Sequence, residues 1–295
     1  MNKCLKHIFL LSVLVLLAGA CANVRYARGP ETEVIESLPG YEGTLRAVRY
    51  KSSEAALSER RFVAYLPKGY GSDPERRYPV MYLLHGARGN EVTWIERADA
   101  LITLDSLRAE GKASDFILVL ANANNYYSDN EYNNGHAINA VRAFWTVDGE
   151  TEVHFMQDLV HTVDSVFLTI PSKQGRAIAG MSTGALQAIY ISANNPDAFD
   201  YVGLFSPYKY DTFFGLRHTE FYGGINRKMK RQFETPPAYY GMMIGTADFF
   251  YPHIRAFDRE MTRKNYPHEF IVTRGGHEWY NWRNYLILFY QKIFL

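Results

Sequence analysis

The chain predicts an α/β fold with a mostly parallel central sheet and helices on both faces, and three observations carry that reading. Residues 78–84, 116–120 and 176–179 are nearly unbroken apolar runs of strand length, which suits strands covered on both sides. Stretches with apolar groups at helical spacing alternate with them. One run ends in Gly180-Met181-Ser182-Thr183-Gly184 and passes straight into a further helical stretch, so that strand, tight turn and helix follow one another without a gap.

Length and composition suit one domain. Folds of this class run past 200 residues as single units, and this chain has 295, of which 47% are apolar and 21% charged, ordinary globular usage. Its 22 tyrosines and 18 phenylalanines favour a deep core or a ring-lined cleft. The first twenty residues have a basic start (Lys3, Lys6, His7), an apolar run over 8–17 and then Ala18-Gly19-Ala20-Cys21, the layout of an export signal rather than of a spanning helix. Residues 1–20 are therefore expected to be removed. Cys21 resembles the lipid-acceptor cysteine of bacterial lipoproteins, although Ala18 stands where leucine is more usual; the alternative is ordinary cleavage and release. Either way the protein is expected to be exported, and membrane contact is expected only through that anchor. The only cysteines are Cys4 and Cys21, so the processed chain cannot form an internal disulfide. Loss of Lys3 and Lys6 moves the formal net charge from +1 to about −1, a balance that gives no electrostatic reason to expect nucleic acid.

Residues 21–42, punctuated by Gly29-Pro30 and Pro39-Gly40, read as a tether, which leaves 43–295 as the folded domain. Residues 45–50 and 61–67 look like strands of an antiparallel sheet edge. The strand at 78–84 leads into His85-Gly86-Ala87-Arg88-Gly89-Asn90, residues 94–110 have helical spacing, and 116–120 is another buried strand. From 122 to 150 the composition shifts to asparagine, tyrosine and glycine, including Tyr126 and Tyr127; a long loop here can shape a binding cleft. A helical pattern over 151–168 carries His154 and His161, seven apart, but no further ligand set surrounds them and the spacing of zinc peptidases is absent, so no metal is expected. The elbow helix stops at Asn194-Asn195-Pro196. Strands follow at 201–206 and 240–245, a solvated basic helix at 227–231, a strand at 270–272 and an aromatic helix at 278–294.

The turn around Ser182 is a nucleophile elbow in this context: the small glycines let strand and helix pass closely while the serine hydroxyl stands clear. A serine hydroxyl is a poor nucleophile at neutral pH, so it needs a base and a group to orient that base. Asp248 follows the strand ending at Ile244, and His277 follows the strand ending at Val272, both in the required order; Asp258 is a rival acid but falls inside a helix. His85-Gly86-Ala87 should aim the Ala87 amide at an oxygen that becomes negative, and Thr183, directly after the serine, offers a second amide at a helix start.

Taken together, residues 65–67 (Tyr-Leu-Pro), 78–86, the elbow, Phe205-Ser206, Gly245-Thr246-Ala247-Asp248 and Gly276-His277-Glu278-Trp279 with Trp282-Arg283 resemble the esterase D, or feruloyl esterase-like, family of α/β-hydrolases. The resemblance spans 65–295. It implies the α/β-hydrolase fold, Ser182, Asp248 and His277 as a triad, and Ala87 and Thr183 at the oxyanion positions; Ala185 departs from it, since many relatives carry a second glycine there.

The function expected is a serine carboxylic ester hydrolase acting on feruloyl or acetyl groups of plant-type carbohydrates, with no cofactor. Tyr126, Tyr127, Trp279 and Tyr280 are candidates to stack on a ring. The alternatives are an acyltransferase, an esterase for siderophores or other small esters, and a noncatalytic carbohydrate-binding relative, which would have no need of all three triad residues.

Overall fold

A computed structural model describes residues 31–35, 40–53, 59–123, 150–208 and 219–295. Nine strands, β1 (Glu31–Ile35), β2 (Thr44–Lys51), β3 (Glu59–Leu66), β4 (Val80–Leu84), β5 (Ile117–Ala121), β6 (Arg176–Met181), β7 (Tyr201–Phe205), β8 (Tyr239–Gly245) and β9 (Glu269–Thr273), form one sheet in the order β1-β2-β3-β5-β4-β6-β7-β8-β9. β1, β2, β3 and β5 pair antiparallel in succession. From β5 through β4, β6, β7 and β8 to β9 every pairing is parallel. This is the α/β-hydrolase architecture, with the antiparallel edge where the alternating segments at 45–50 and 61–67 predicted it.

Every residue of β4, β5 and β6 is buried, which explains why these strands read as unbroken apolar runs rather than as alternating ones. Successive side chains point to opposite faces, and the core divides accordingly. Val80, Tyr82, Leu84 and Ile178 enter one layer, while Met81, Leu83, Ala177 and Ala179 enter the other. The first layer is covered by the helices α5 (Thr183–Asn194), α6 (Thr219–Tyr222), α7 (Ile225–Gln232) and α8 (Tyr251–Arg263), and the second by α1 (Thr93–Ala98), α2 (Ala100–Ala109) and α9 (Trp279–Tyr290).

Three expectations are corrected. The helix expected over 94–110 is two, because Asp99 takes a left-handed φ of 49°, a conformation that a short polar side chain tolerates better than most, and Arg283 holds its carboxylate at 3.0 Å. The helix expected over 151–168 consists of α3 (Glu150–His154), a π-helical turn (Phe155–Val160) and α4 (His161–Val166); the wider turn spoils the seven-residue spacing that set His154 and His161 on one face. Among the described residues no group of three or more His, Cys, Asp or Glu is placed to hold a metal ion. Finally, the tether expected over 21–42 contains β1, paired to β2 from Glu31 opposite Arg49 to Ile35 opposite Leu45. The ladder is made by backbone groups, so its pairing does not depend on an apolar pattern in the sequence. Cys21, Tyr126 and Tyr127 lie outside the described residues.

Residues on either side of the segment 124–149 are joined by a buried arginine. Arg60 donates from Nη1 to the Asn122 carbonyl at 2.9 Å and from Nη2 to Thr151 Oγ1 at 2.6 Å, bridging the residues on either side of it.

Candidate active site

The end of β6 delivers Ser182 with φ 52° and ψ −116°, a strained conformation for a residue with a side chain. The surroundings enforce it. The Ser182 amide donates to the Phe205 carbonyl at 2.8 Å and its carbonyl accepts from the Leu186 amide at 3.1 Å. Both elbow glycines are required sterically: a Cβ on Gly180 would lie 2.5 Å from the Gly184 carbonyl carbon, and one on Gly184 would lie 2.4 Å from the His85 carbonyl oxygen. Ala185, the departure from the family pattern, is fully buried, so its methyl is taken into the core.

Ser182 Oγ lies 2.9 Å from His277 Nε2, and His277 Nδ1 lies 2.8 Å from Asp248 Oδ2. A carboxylate only accepts, so the imidazole proton sits on Nδ1 and Nε2 is left to receive the serine proton. The two supporting loops are zipped together: the Thr246 amide donates to the Thr273 carbonyl at 2.8 Å and the Ala247 amide to the Gly275 carbonyl at 2.9 Å. Asn281 Nδ2 then holds the Gly276 carbonyl at 2.9 Å, which fixes the backbone just before His277.

Burial alone would raise the Asp248 pKa, yet its carboxyl is held below the usual range. The His277 hydrogen bond, the Phe250 amide at 2.9 Å on Oδ1 and the Ser206 hydroxyl outweigh desolvation. Asp248 thus turns the chain toward α8 and orients the base at once. Asp258, the rival acid, is engaged elsewhere, 3.0 Å from His268 Nε2.

Aromatic rings surround the imidazole. Trp282 meets it edge-on at 4.9 Å and Phe250 at 5.4 Å, and Phe249 lies tilted beside it at 4.5 Å. Trp282 Nε1 also donates to Ser206 Oγ at 3.0 Å, and Ser206, fully buried with φ 49°, leads from that indole to the carboxylate. Phe249, Phe250 and the Trp282–Ser206 pair were not picked out as site residues in the sequence: Phe249 and Phe250 follow Asp248 directly, but no periodicity marks such neighbours. Of the ring-stacking candidates, Trp279 spends its faces on Trp94 at 5.5 Å and Trp282 at 5.1 Å, whereas Tyr280 is 74% exposed and Phe249 64%.

Thr183 follows the serine directly, and the turn that carries Ala87 starts beside it at Gly86. The β4 turn abuts the elbow so closely that a Cβ on Gly86 would stand 3.5 Å from Ser182 Cβ. The Thr183 amide opens α5, where free N–H groups and the partial positive charge of a helix start favour an anion. A hydroxyl, an imidazole and a carboxylate joined in this order can carry out acyl transfer through a tetrahedral adduct.

Known proteins resemble the chain along most of its length. It is 30% identical over 257 residues to an endo-1,4-beta-xylanase/feruloyl esterase of Xylanibacter ruminicola, covering 85% of this chain and 31% of that protein; the chain thus spans about a third of that relative's length. A ferulic acid esterase from the anaerobic fungus Anaeromyces mucronatus superposes with a TM-score of 0.64 at 20% identity, over 92% of this chain and 94% of the other. The feruloyl esterase module of Clostridium thermocellum, solved with sinapinate, gives 0.68 at 18% identity, over 92% and 96%, and an S-formylglutathione hydrolase from Agrobacterium tumefaciens gives 0.60 at 16%, over 88% and 99%. These structures share the fold. Residues 53–249 match the family described as Putative esterase, and the chain belongs to that family.

Proposed function

We propose that the chain is a serine carboxylic ester hydrolase that removes feruloyl or acetyl groups from plant-type carbohydrates. The observation that carries this is the relay from Ser182 Oγ through His277 to Asp248, with links of 2.9 and 2.8 Å. Ser182 Oγ bonds to the ester carbonyl carbon as its proton passes to His277 Nε2. The carbonyl oxygen, now negative, is met by the amides of Ala87 and Thr183, each worth on the order of 3 kcal/mol to the transition state. The C–O bond to the sugar breaks, the leaving oxygen takes the proton from His277, and water repeats the sequence to free the acid and restore Ser182. The side chains and water close this balance without a cofactor.

The names of the Xylanibacter and Clostridium relatives support the feruloyl substrate. So do the exposed rings of Phe249 and Tyr280, one beside the base and the other on the first turn of α9, which suit a planar aromatic acyl group. The same reading takes residues 1–20 as a removed export signal and Cys21 as a lipid acceptor that anchors an exported enzyme; mass spectrometry of the processed protein should find diacylglycerol on Cys21.

Methyl ferulate, acetylated xylan and 4-nitrophenyl acetate, each given to the purified chain and to Ser182→Ala, test the activity. Hydrolysis that vanishes in the variant is expected. Hydrolysis that survives it rejects the mechanism, and cleavage of the aryl acetate alone rejects the carbohydrate substrate while leaving the chemistry.

A further inference from the structure

Among the described residues, the relay leaves one buried histidine unused. His85 is 3% exposed, with Nδ1 2.7 Å from the Gly86 carbonyl oxygen and Nε2 3.0 Å from the Ala123 amide nitrogen. A backbone amide can only donate, so Nε2 is the acceptor, and the proton of the neutral ring sits on Nδ1 and points at the Gly86 carbonyl. Burial pushes the pKa of this imidazole down to about 4, with Arg60 adding to the effect and the Gly86 bond opposing it, so the ring stays neutral near pH 7.

That carbonyl belongs to a particular peptide. Its other end is the Ala87 N–H, and the peptide is planar, so fixing the direction of the oxygen fixes the direction of the amide. The turn is wrapped around the ring to do so. The Gly89 amide also reaches the Gly86 carbonyl, at 3.1 Å, Arg88 reverses the chain with φ 63°, and Gly89 passes so near that a Cβ there would come within 2.8 Å of His85 Nδ1. On the far side, the Ala123 carbonyl accepts from Gln187 Nε2 at 2.9 Å. Gln187 is one turn along α5 from Thr183. Hydrogen bonds therefore run from the Gly86–Ala87 peptide through His85 and Ala123 to the helix that begins with the other amide donor.

We propose that His85 is a positioning residue of the oxyanion hole: its imidazole holds the Gly86–Ala87 peptide so that the Ala87 amide faces the adduct on Ser182, and ties that peptide through Ala123 to the helix that presents Thr183. This rests on the ester hydrolysis proposed above.

His85→Leu removes both hydrogen bonds, whereas His85→Asn keeps an N–H near the position of Nδ1. Hydrolysis of 4-nitrophenyl acetate by His85→Leu should lose on the order of 10²-fold in kcat, the scale of a lost oxyanion donor, with KM changed by less than about threefold. An alkyl trifluoromethyl ketone, which forms a tetrahedral adduct on the serine, should bind more weakly by a similar factor, while binding of the product acid is unchanged. His85→Asn should regain most of the kcat and most of the ketone affinity. A folded His85→Leu with normal kcat overturns the proposal, as does a fall in kcat without a fall in ketone affinity. If His85→Leu does not fold, judged by thermal melting, the Asn variant decides: loss of ketone affinity in a folded His85→Asn counts against the role, and near-normal affinity and kcat support it. If the unmodified chain hydrolyses none of the esters, the esterase reading fails and this proposal with it; if it does hydrolyse them, only the role of His85 is at stake.

Discussion

At the scale of single residues, the site works through groups whose protonation is set by their surroundings. Asp248 is ionised by its hydrogen bonds in spite of burial, so Asp248→Asn should keep the shape but present the wrong partner to His277 Nδ1. A drop in kcat on the order of 10⁴-fold is expected, read by steady-state kinetics; a loss below tenfold would remove Asp248 from the relay. His85 and Asp248 both contribute to the acid limb of stability. The folded pKa of His85 lies at about 4, below the roughly 6.5 of an unfolded chain. The unfolded state therefore takes the proton first, and stability present above about pH 6.5 is lost as pH falls toward 4, by up to about 3 kcal/mol. Asp248, lowered from its ordinary value, keeps its contribution down to about pH 4 and loses it only below. Urea unfolding between pH 7.5 and 4.5 should show the first decline, and His85→Asn should flatten it; an equally steep curve in that variant would place the titration elsewhere.

At the scale of elements, the turns place the groups of the site, and they were unevenly legible in the sequence. Ser182, Asp248 and His277 could be found because each follows an apolar strand at its carboxyl end, which a linear pattern exposes. Asp99 could not be read as a helix break, since the apolar spacing at Leu101, Leu104 and Leu107 continues the pattern from Trp94 and nothing apolar marks a left-handed residue. The π-helical turn was hidden for a similar reason: it changes the hydrogen-bonding register without altering the composition. β1 was missed because backbone pairing at an edge leaves no apolar signature. The elbow makes the strictest demand on sequence. Gly184→Ala places a methyl 2.4 Å from the His85 carbonyl oxygen, so the helix must shift away from β4. This should destabilise the fold by about 1–3 kcal/mol and lower kcat more than it raises KM. Unchanged melting and unchanged kcat would show that the close approach is not maintained in solution.

Across the whole molecule, the sheet separates two apolar layers, and the reacting groups stand where several strands end together. Phe289 is fully buried in the second layer, 6.0 Å from the rings of both Phe205 and Tyr239, and its ring fills the space that a side chain on Gly203 would take. Phe289→Ala should cost about 3–5 kcal/mol, measured by denaturant titration. A stability loss below 1 kcal/mol would mean that the layer recloses over the cavity.

The Arg60 bridge has an implication for how such a protein can change. With one guanidinium joining Asn122 to Thr151, a change at Arg60 removes two buried hydrogen bonds at once. One substitution there therefore loosens two stretches that are far apart along the chain.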